Sequence, residues 1–343
     1  MSVPSGWISG LITIVAGLLL LFGLPQVTSL YGVTQLTVFA AMAVFALSQG
    51  FIWGFGGIMS FGQSAFFGLG GYVYAVSVIN MGDSTIPVLL SIAVPAAFAA
   101  LLGYFMFFGR ISDAYIGVIT LTVTIILFNV FNSTSGDFYT IGQAALGGFN
   151  GMPNVPPINL PGHPDAAFGP IDTWYFAMGA LILVYLLLRW TLASRFGRVV
   201  VAIRENETRV QLLGYDARVY KLLVFTIGGG VAGLGGCIFT NWGAFISPTI
   251  FGLASAAQVL IFVLVGGLGT LVGPILGAFG MEYLISIIGT QQTFNANLVL
   301  GAVLVAFVLL VPQGIVPVFW SGITRMLPRR TATPAEQTAE VQP

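Results

Sequence analysis

From residue 7 to residue 312 the chain runs in apolar stretches of about twenty residues, and a single break between them is densely charged. That break, Arg189 to Lys221, reads RWTLASRFGRVVVAIRENETRVQLLGYDARVYK. It holds seven of the chain's eleven basic residues: Arg189, Arg195, Arg198, Arg204, Arg209, Arg218 and Lys221. It also holds Glu205, Glu207 and Asp216, three of the eleven acids. Such an island stays in water, and its excess of Arg and Lys assigns it to the cytoplasmic side of a membrane. Charged residues make up only 6% of the chain, against about 25% in soluble domains. Most of the length must therefore lie in lipid, and the class expected is an all-α polytopic membrane protein.

A spanning helix needs about 20 mostly apolar residues. Ten transmembrane helices are expected, over 7–24, 31–53, 59–80, 86–108, 115–132, 172–190, 221–241, 252–267, 270–289 and 295–312. Gly266, Gly267, Gly269, Gly273 and Pro274 interrupt the eighth and ninth, which read as one tight hairpin or a re-entrant element. Placing 191–220 in the cytoplasm, between helices six and seven, puts Arg110, Asp113, Arg325, Arg329 and Arg330 there too. Asp83 and the loop 133–171, which lacks Arg and Lys, then fall outside. Every basic residue lies on or next to the inner face, as charge asymmetry requires. The organisation expected is a membrane domain over 1–324 and a disordered cytoplasmic tail over 325–343, with both termini in the cytoplasm.

The first apolar run has no Lys or Arg before it and no A-x-A-like cleavage site, so it reads as a retained helix rather than a signal peptide. The loop 133–171 clusters Gly, Pro and Asn around Phe138, Tyr139, Leu146 and Phe149, four side chains that need cover. It is expected to form an ordered cap with one short helix. Two glycine-rich stretches, GGIMSFGQSAFFGLGGY at 56–72 and GGLGTLVGPILGAFG at 266–280, resemble each other. They fit a trace of internal duplication or ordinary glycine packing equally well.

No catalytic constellation is present. The single His163 and single Cys237 are far apart in sequence, which leaves no metal cluster or His-based triad and no disulfide within the chain. No G-x-x-x-x-G-K-[ST] occurs, so ATP would have to be bound by another polypeptide. A net charge of zero argues against a nucleic-acid partner. The polar residues within or beside the expected spans include Ser48, Gln49, Ser60, Gln63, Ser64, Thr122, Thr124, Asn129, Gln258 and Glu282. Gln49, Ser60 and Gln63 flank one glycine-rich hairpin and, with Asn129, are the candidates for a lined pathway. Glu282 is the one acid in the interior of an expected span, Asp172 standing at the very start of another, and reads as a helix-packing residue.

The island exceeds the roughly 2–8 residues of an ordinary helix–helix connection. Val199, Val200, Ile203, Val210 and Leu213 recur at near-helical spacing, and Gly214 follows as a stop. One short amphipathic helix is expected there, suited to docking a soluble partner. The run SRFGRVVVAIRENETRVQLLGYDARVYKLLVFTIGGGVAGLGGCIF, with FISPTIFG, VGGLGTLVGPILGAF, GGIMSFGQSAFFGLGGY and YIGVITLTVTIILFNV, resembles the permease subunits of ATP-binding-cassette importers for branched-chain amino acids. It is most similar to the second of their two permeases, over roughly residues 35 to 315.

The resemblance implies a homologous second permease, two cytoplasmic ATPase subunits and a periplasmic solute-binding protein around this chain in a bacterial inner membrane. It implies no cofactor here beyond the ATP of the partner subunits. Arg198, Arg204, Glu205, Glu207 and Arg209 would contact the ATPase, with Gly214 and Asp216 closing the coupling element. Importers of urea and short amides share the architecture; NETRVQLLGYD leans toward them, VGGLGT and GMPNVPP toward the amino-acid branch. An ion-coupled secondary carrier would need an intramembrane acid, which Glu282 alone offers. An intramembrane hydrolase lacks the His and Cys pairs it would need.

Overall fold

The computed structural model describes residues 6–136, 138–291, 301, 302 and 314. Eleven α-helices are present among them: α1 (Gly6–Val27), α2 (Leu30–Gly54), α3 (Gln63–Met81), α4 (Thr85–Phe108), α5 (Asp113–Ser133), α6 (Pro170–Ala193), α7 (Arg195–Glu205), α8 (Glu207–Leu212), α9 (Ala217–Gly243), α10 (Leu253–Gly266) and α11 (Val272–Gln291). Six are long and apolar enough to cross a bilayer: α2 to α6 and α9. Shorter apolar helices stand at the first, eighth and ninth expected positions, so six of the expected spans meet the length among the described residues. The tenth, 295–312, and the tail 325–343 lie outside the described residues.

Local chemistry explains the departures. Helix α3 starts at Gln63 rather than at 59, because Gly57 takes φ +69° and turns the chain away from a helix. Helix α10 has 14 residues, about 21 Å at 1.5 Å per residue, well short of a hydrocarbon core of about 30 Å. A 3-10 turn at Pro248–Phe251 precedes it, and Gly267 at φ +108° follows it. Helices α10 and α11 pack closely against each other across the glycine turn. A Cβ on Gly277 of α11 would land on the Phe262 carbonyl oxygen of α10.

Helix α9 is the centre of the bundle and packs against α2, α3 and α4. Its segment GGGVAGLGG, 228–236, makes this possible. A Cβ on Gly236 would land on the Phe67 carbonyl oxygen of α3, and one on Gly233 on the Ser91 carbonyl oxygen of α4. Lipid tails are as apolar as leucine, so helices associate in a membrane through close packing rather than hydrophobic exclusion. Around this contact lies one core, including Trp174, Tyr74, Phe66, Phe67, Phe225 and Phe262.

At one end of the bundle, residues 138–169 form a cap from short antiparallel pairs: β1 (Thr140–Ile141) with β2 (Ala144–Ala145), and β4 (Asn159–Leu160) with β5 (His163–Ala167). β3 (Met152–Pro153) pairs with β6 (Phe245–Ile246), which follows α9. The expected short helix is a 3-10 turn, Gly148–Asn150. Asparagines fasten the cap to the helices: Asn80 Nδ2 donates to the Ile141 carbonyl at 2.8 Å, and Asn241 Oδ1 accepts from the Ile158 amide at 2.7 Å. Of the four side chains expected to need cover, Leu146 alone is buried. Phe138, Tyr139 and Phe149 are exposed, since so thin a cap has no second layer to cover them.

Gly236→Ala should therefore destabilise the bundle by about 1–3 kcal/mol through overpacking. Gly243→Ala, where a Cβ meets nothing within 4 Å, should be near neutral. Thermal unfolding of the two variants in detergent, followed by tryptophan fluorescence, checks the contrast.

Candidate functional site

The charged island folds as an elbow. Ser194 caps α7, its Oγ accepting from the Gly197 amide at 3.3 Å. Asn206 sits in extended backbone (φ −160°, ψ 98°) and caps α8 by accepting from the Arg209 amide at 2.9 Å. Asp216 caps α9, with Oδ1 accepting from the Arg218 amide at 3.1 Å. The single helix expected across 198–216 is thus two helices, broken where the Asn206 side chain competes for the backbone. Gly214, at φ +90°, does follow the end of α8. The break re-aims the second half: Ile203 and Val210 close a small core with Ala217, while Leu213 is exposed rather than on the buried face.

Two cations tie the elbow to the bundle. Arg204 donates from Nη1 to the Gly54 carbonyl at the end of α2. Lys221, the chain's one lysine, has a side chain only 14% exposed. Its Nζ lies 2.6 Å from Glu207 Oε2 of α8 and 3.5 Å from Asp113 Oδ1 of α5. Phe196 of α7 stacks on Tyr220 of α9 with ring centroids 5.5 Å apart. The Arg218 side chain hydrogen-bonds Asp216 at 2.9 and 3.0 Å and holds that carboxyl below the usual carboxylate range. The stability this adds is present above about pH 4 and is lost as pH falls through the lowered value.

The sequence-predicted coupling residues therefore separate. Glu205 and Arg209 are exposed. Arg198 is exposed but donates to the Ala193 carbonyl at 3.1 Å. Arg204, Glu207 and Asp216 are engaged within the chain. Apolar side chains instead dominate the tip: Leu212 is 82% and Leu213 76% exposed, with Tyr215 exposed beside them. The helical pattern had pointed Leu213 inward, and the Asn206 cap is the signal that could have corrected it.

The candidate pathway residues also divide. Gln49, Ser60 and Gln63 come together but are sealed, at 0–1% exposure. Gln49 Nε2 donates to the Ser60 carbonyl at 2.9 Å. Gln63 Nε2 donates to Ser48 Oγ and to the Gly228 carbonyl, each at 3.0 Å. This node joins α2, α3 and α9. Asn129 stands apart on the exposed side of α5, donating to the Ile125 carbonyl of its own helix. It shares a seven-residue spacing with Thr122 and Tyr115, both exposed. Glu282 of α11 accepts from Gln258 of α10 at 2.8 Å, a contact that fits helix packing.

A bundle of apolar helices, six of them long enough to cross a bilayer, carrying one anchored and charged elbow, fits a multi-pass membrane protein. Residues 31–308 match the family described as branched-chain amino acid transport system / permease component, and the chain belongs to that family. It is 29% identical over 282 residues to the high-affinity branched-chain amino acid transport system permease protein LivM of Escherichia coli, covering 74% of this chain and 62% of the relative. The LivM of Salmonella typhimurium matches equally, at 29% over 281 residues. Each match thus spans less than two thirds of the relative's length. The autoinducer 2 import system permease protein LsrC of Salmonella choleraesuis is 36% identical over 149 residues, covering 40% of this chain and 43% of that one. No solved structure matches the chain.

The ion node makes a direct prediction. Helix α8 has six residues, too few to be stable without anchoring. Lys221→Met should leave Glu207 with the Gln211 amide as its remaining partner and cost about 1 kcal/mol locally. Amide exchange across 208–213 should then speed about tenfold in hydrogen-exchange mass spectrometry. Glu207→Gln, which keeps a hydrogen-bond acceptor for the lysine, should produce a smaller change.

Proposed function

We propose that this chain is one of two permeases in an ATP-binding-cassette importer of the bacterial inner membrane and that the imported solutes are branched-chain amino acids. On this reading the elbow and both termini lie in the cytoplasm and the cap lies outside. The membrane domain on this reading is 1–324. Two separate ATPase subunits supply ATP hydrolysis, and a soluble binding protein delivers substrate to the cap side.

The observation that carries this reading is the elbow's tip. Leu212, Leu213 and Tyr215 project from a loop otherwise full of charge. Apolar side chains held out on an anchored scaffold are suited to a pocket on another protein. Glu205 and Arg209 flank the tip and supply a polar rim. The ATPase is accordingly proposed to grip apolar residues, with the charges setting orientation.

For the pathway, the exposed stripe Tyr115, Val118, Thr122, Ile125 and Asn129 on α5 is the better candidate. Polar side chains facing lipid are costly, so a stripe carrying Thr122 and Asn129 fits a face shared with the second permease. The sealed Gln49, Ser60 and Gln63 node fits a structural role. Glu282 accepts from Gln258 of the neighbouring helix, a contact that fits helix packing. The run NETRVQLLGYD, which leans toward the amide importers, lies in the elbow and so bears on docking rather than on substrate. The two LivM relatives favour amino acids.

Affinity purification of the tagged chain should bring down an ATPase in stoichiometric amount. Leu212→Asp with Leu213→Asp should reduce that yield at least tenfold while the permease remains in the membrane. Cells lacking the protein should lose uptake of labelled leucine and keep uptake of labelled urea. Loss of urea uptake alone would move the protein to the amide branch.

A further inference from the structure

The two glycine-rich stretches acquire a common partner in the structure. The α2–α3 turn, 55–62, and the α10–α11 turn, 267–271, meet at the elbow end of the bundle. A Cβ on Gly54 would lie 3.0 Å from the Gly269 amide nitrogen, so the turns touch backbone to backbone. Arg204, in the last turn of α7, reaches across this junction. Its Nη1 donates to the Gly54 carbonyl. Its stem lies on Gly57, where a Cβ would stand 3.0 Å from Arg204 Cγ. Its Nη1 also lies 3.7 Å from where a Cβ of Gly269 would be. Gly57 and Gly269 both have positive φ, +69° and +82°, so these turns hold shapes that side chains rarely adopt.

The first turn leads onward. Phe61, within it, donates its amide to Thr120 Oγ1 of α5 at 3.1 Å. Displacement of α7 therefore has a continuous route through Arg204 to both turns, and from the first turn to α5. The nearby Glu205 carboxylate, 3.9 Å from Arg204 and 70% exposed, is too solvated to compete for the guanidinium.

We propose that Arg204 is the positioning residue through which α7 moves the two glycine turns as one body, and not a residue that contacts the ATPase. This deepens the importer reading above and rests on it for the direction of the force. The planar guanidinium suits the task because it is rigid and always charged: its Nη1 bonds the Gly54 carbonyl and stands against Gly269, while its stem packs on Gly57.

The test uses the full chain twice. In the purified importer, Arg204→Ala should keep the wild-type amount of ATPase and basal ATP hydrolysis within about twofold, while substrate transport per ATP falls at least tenfold. Arg204→Lys should fall between the two and decides the matter if the alanine variant does not assemble. Equal losses of hydrolysis and transport, or none, overturn the proposal. Independently of any ATPase, hydrogen exchange on the chain in detergent should show Arg204→Ala accelerating the amides of both turns, 55–62 and 267–271, together. Acceleration in one turn alone, or in neither, overturns the clamp. A wild-type chain that brings down no ATPase defeats the importer reading and leaves the exchange result to judge Arg204 by itself.

Discussion

Everything in this bundle depends on how closely α9 approaches its neighbours. Glycines at 228–236 remove side chains from the contact, so the backbone of α9 lies directly against α3 and α4. In water such contacts would be minor beside hydrophobic burial. In lipid they dominate, because apolar surface gains nothing by leaving a hydrocarbon solvent. Close approach also brings the Gln63 amide within reach of the Gly228 carbonyl, so the buried hydrogen-bond node follows from the same glycines.

The rigid centre throws motion to the periphery. Helix α5 touches the bundle through few buried side chains, Ile116, Gly117, Thr120 and Thr124. Its end nearest the elbow is held by the Asp113 pair with Lys221, and its end nearest the cap by Phe131 stacking on Tyr72 and Phe251. The elbow has the opposite character: it is small but fastened at each end of α7 and through α8. Caps set its angles, Lys221 holds its second helix, and Arg204 joins its first helix to the glycine turns. On the proposed importer reading this stiffness matters, since a loosely hung loop would absorb displacement rather than pass it on.

The resemblance read from FGR, AIRENE, LGYD and YKL and the family match agree, and the two LivM relatives lie in the same branch. Shared architecture across importers of different solutes is visible in the LsrC match, which covers less than half of either chain. The run NETRVQLLGYD, which leans toward the amide branch, lies in the elbow, away from the cap.

What the sequence by itself determined was the membrane class, the positions of the long spans and the existence of one aqueous island, because hydropathy and charge act residue by residue. Gly214 and the glycine-rich turns were legible for the same reason, since positive φ is a local requirement. The tertiary structure decided which polar groups found one another. Glu207 and Arg204 looked alike as charges on a docking helix, yet one pairs with a lysine 14 residues on and the other with a carbonyl 150 residues back. Gln49, Ser60 and Gln63 looked like a pathway because the hairpin brings them together; only packing against α9 shows that they are sealed. Asn206 decided the rest of the elbow: by capping α8 it turned Leu213 from the buried stripe to the surface. A cap wins or loses against helix continuation by about 1 kcal/mol, and tertiary contacts set that balance.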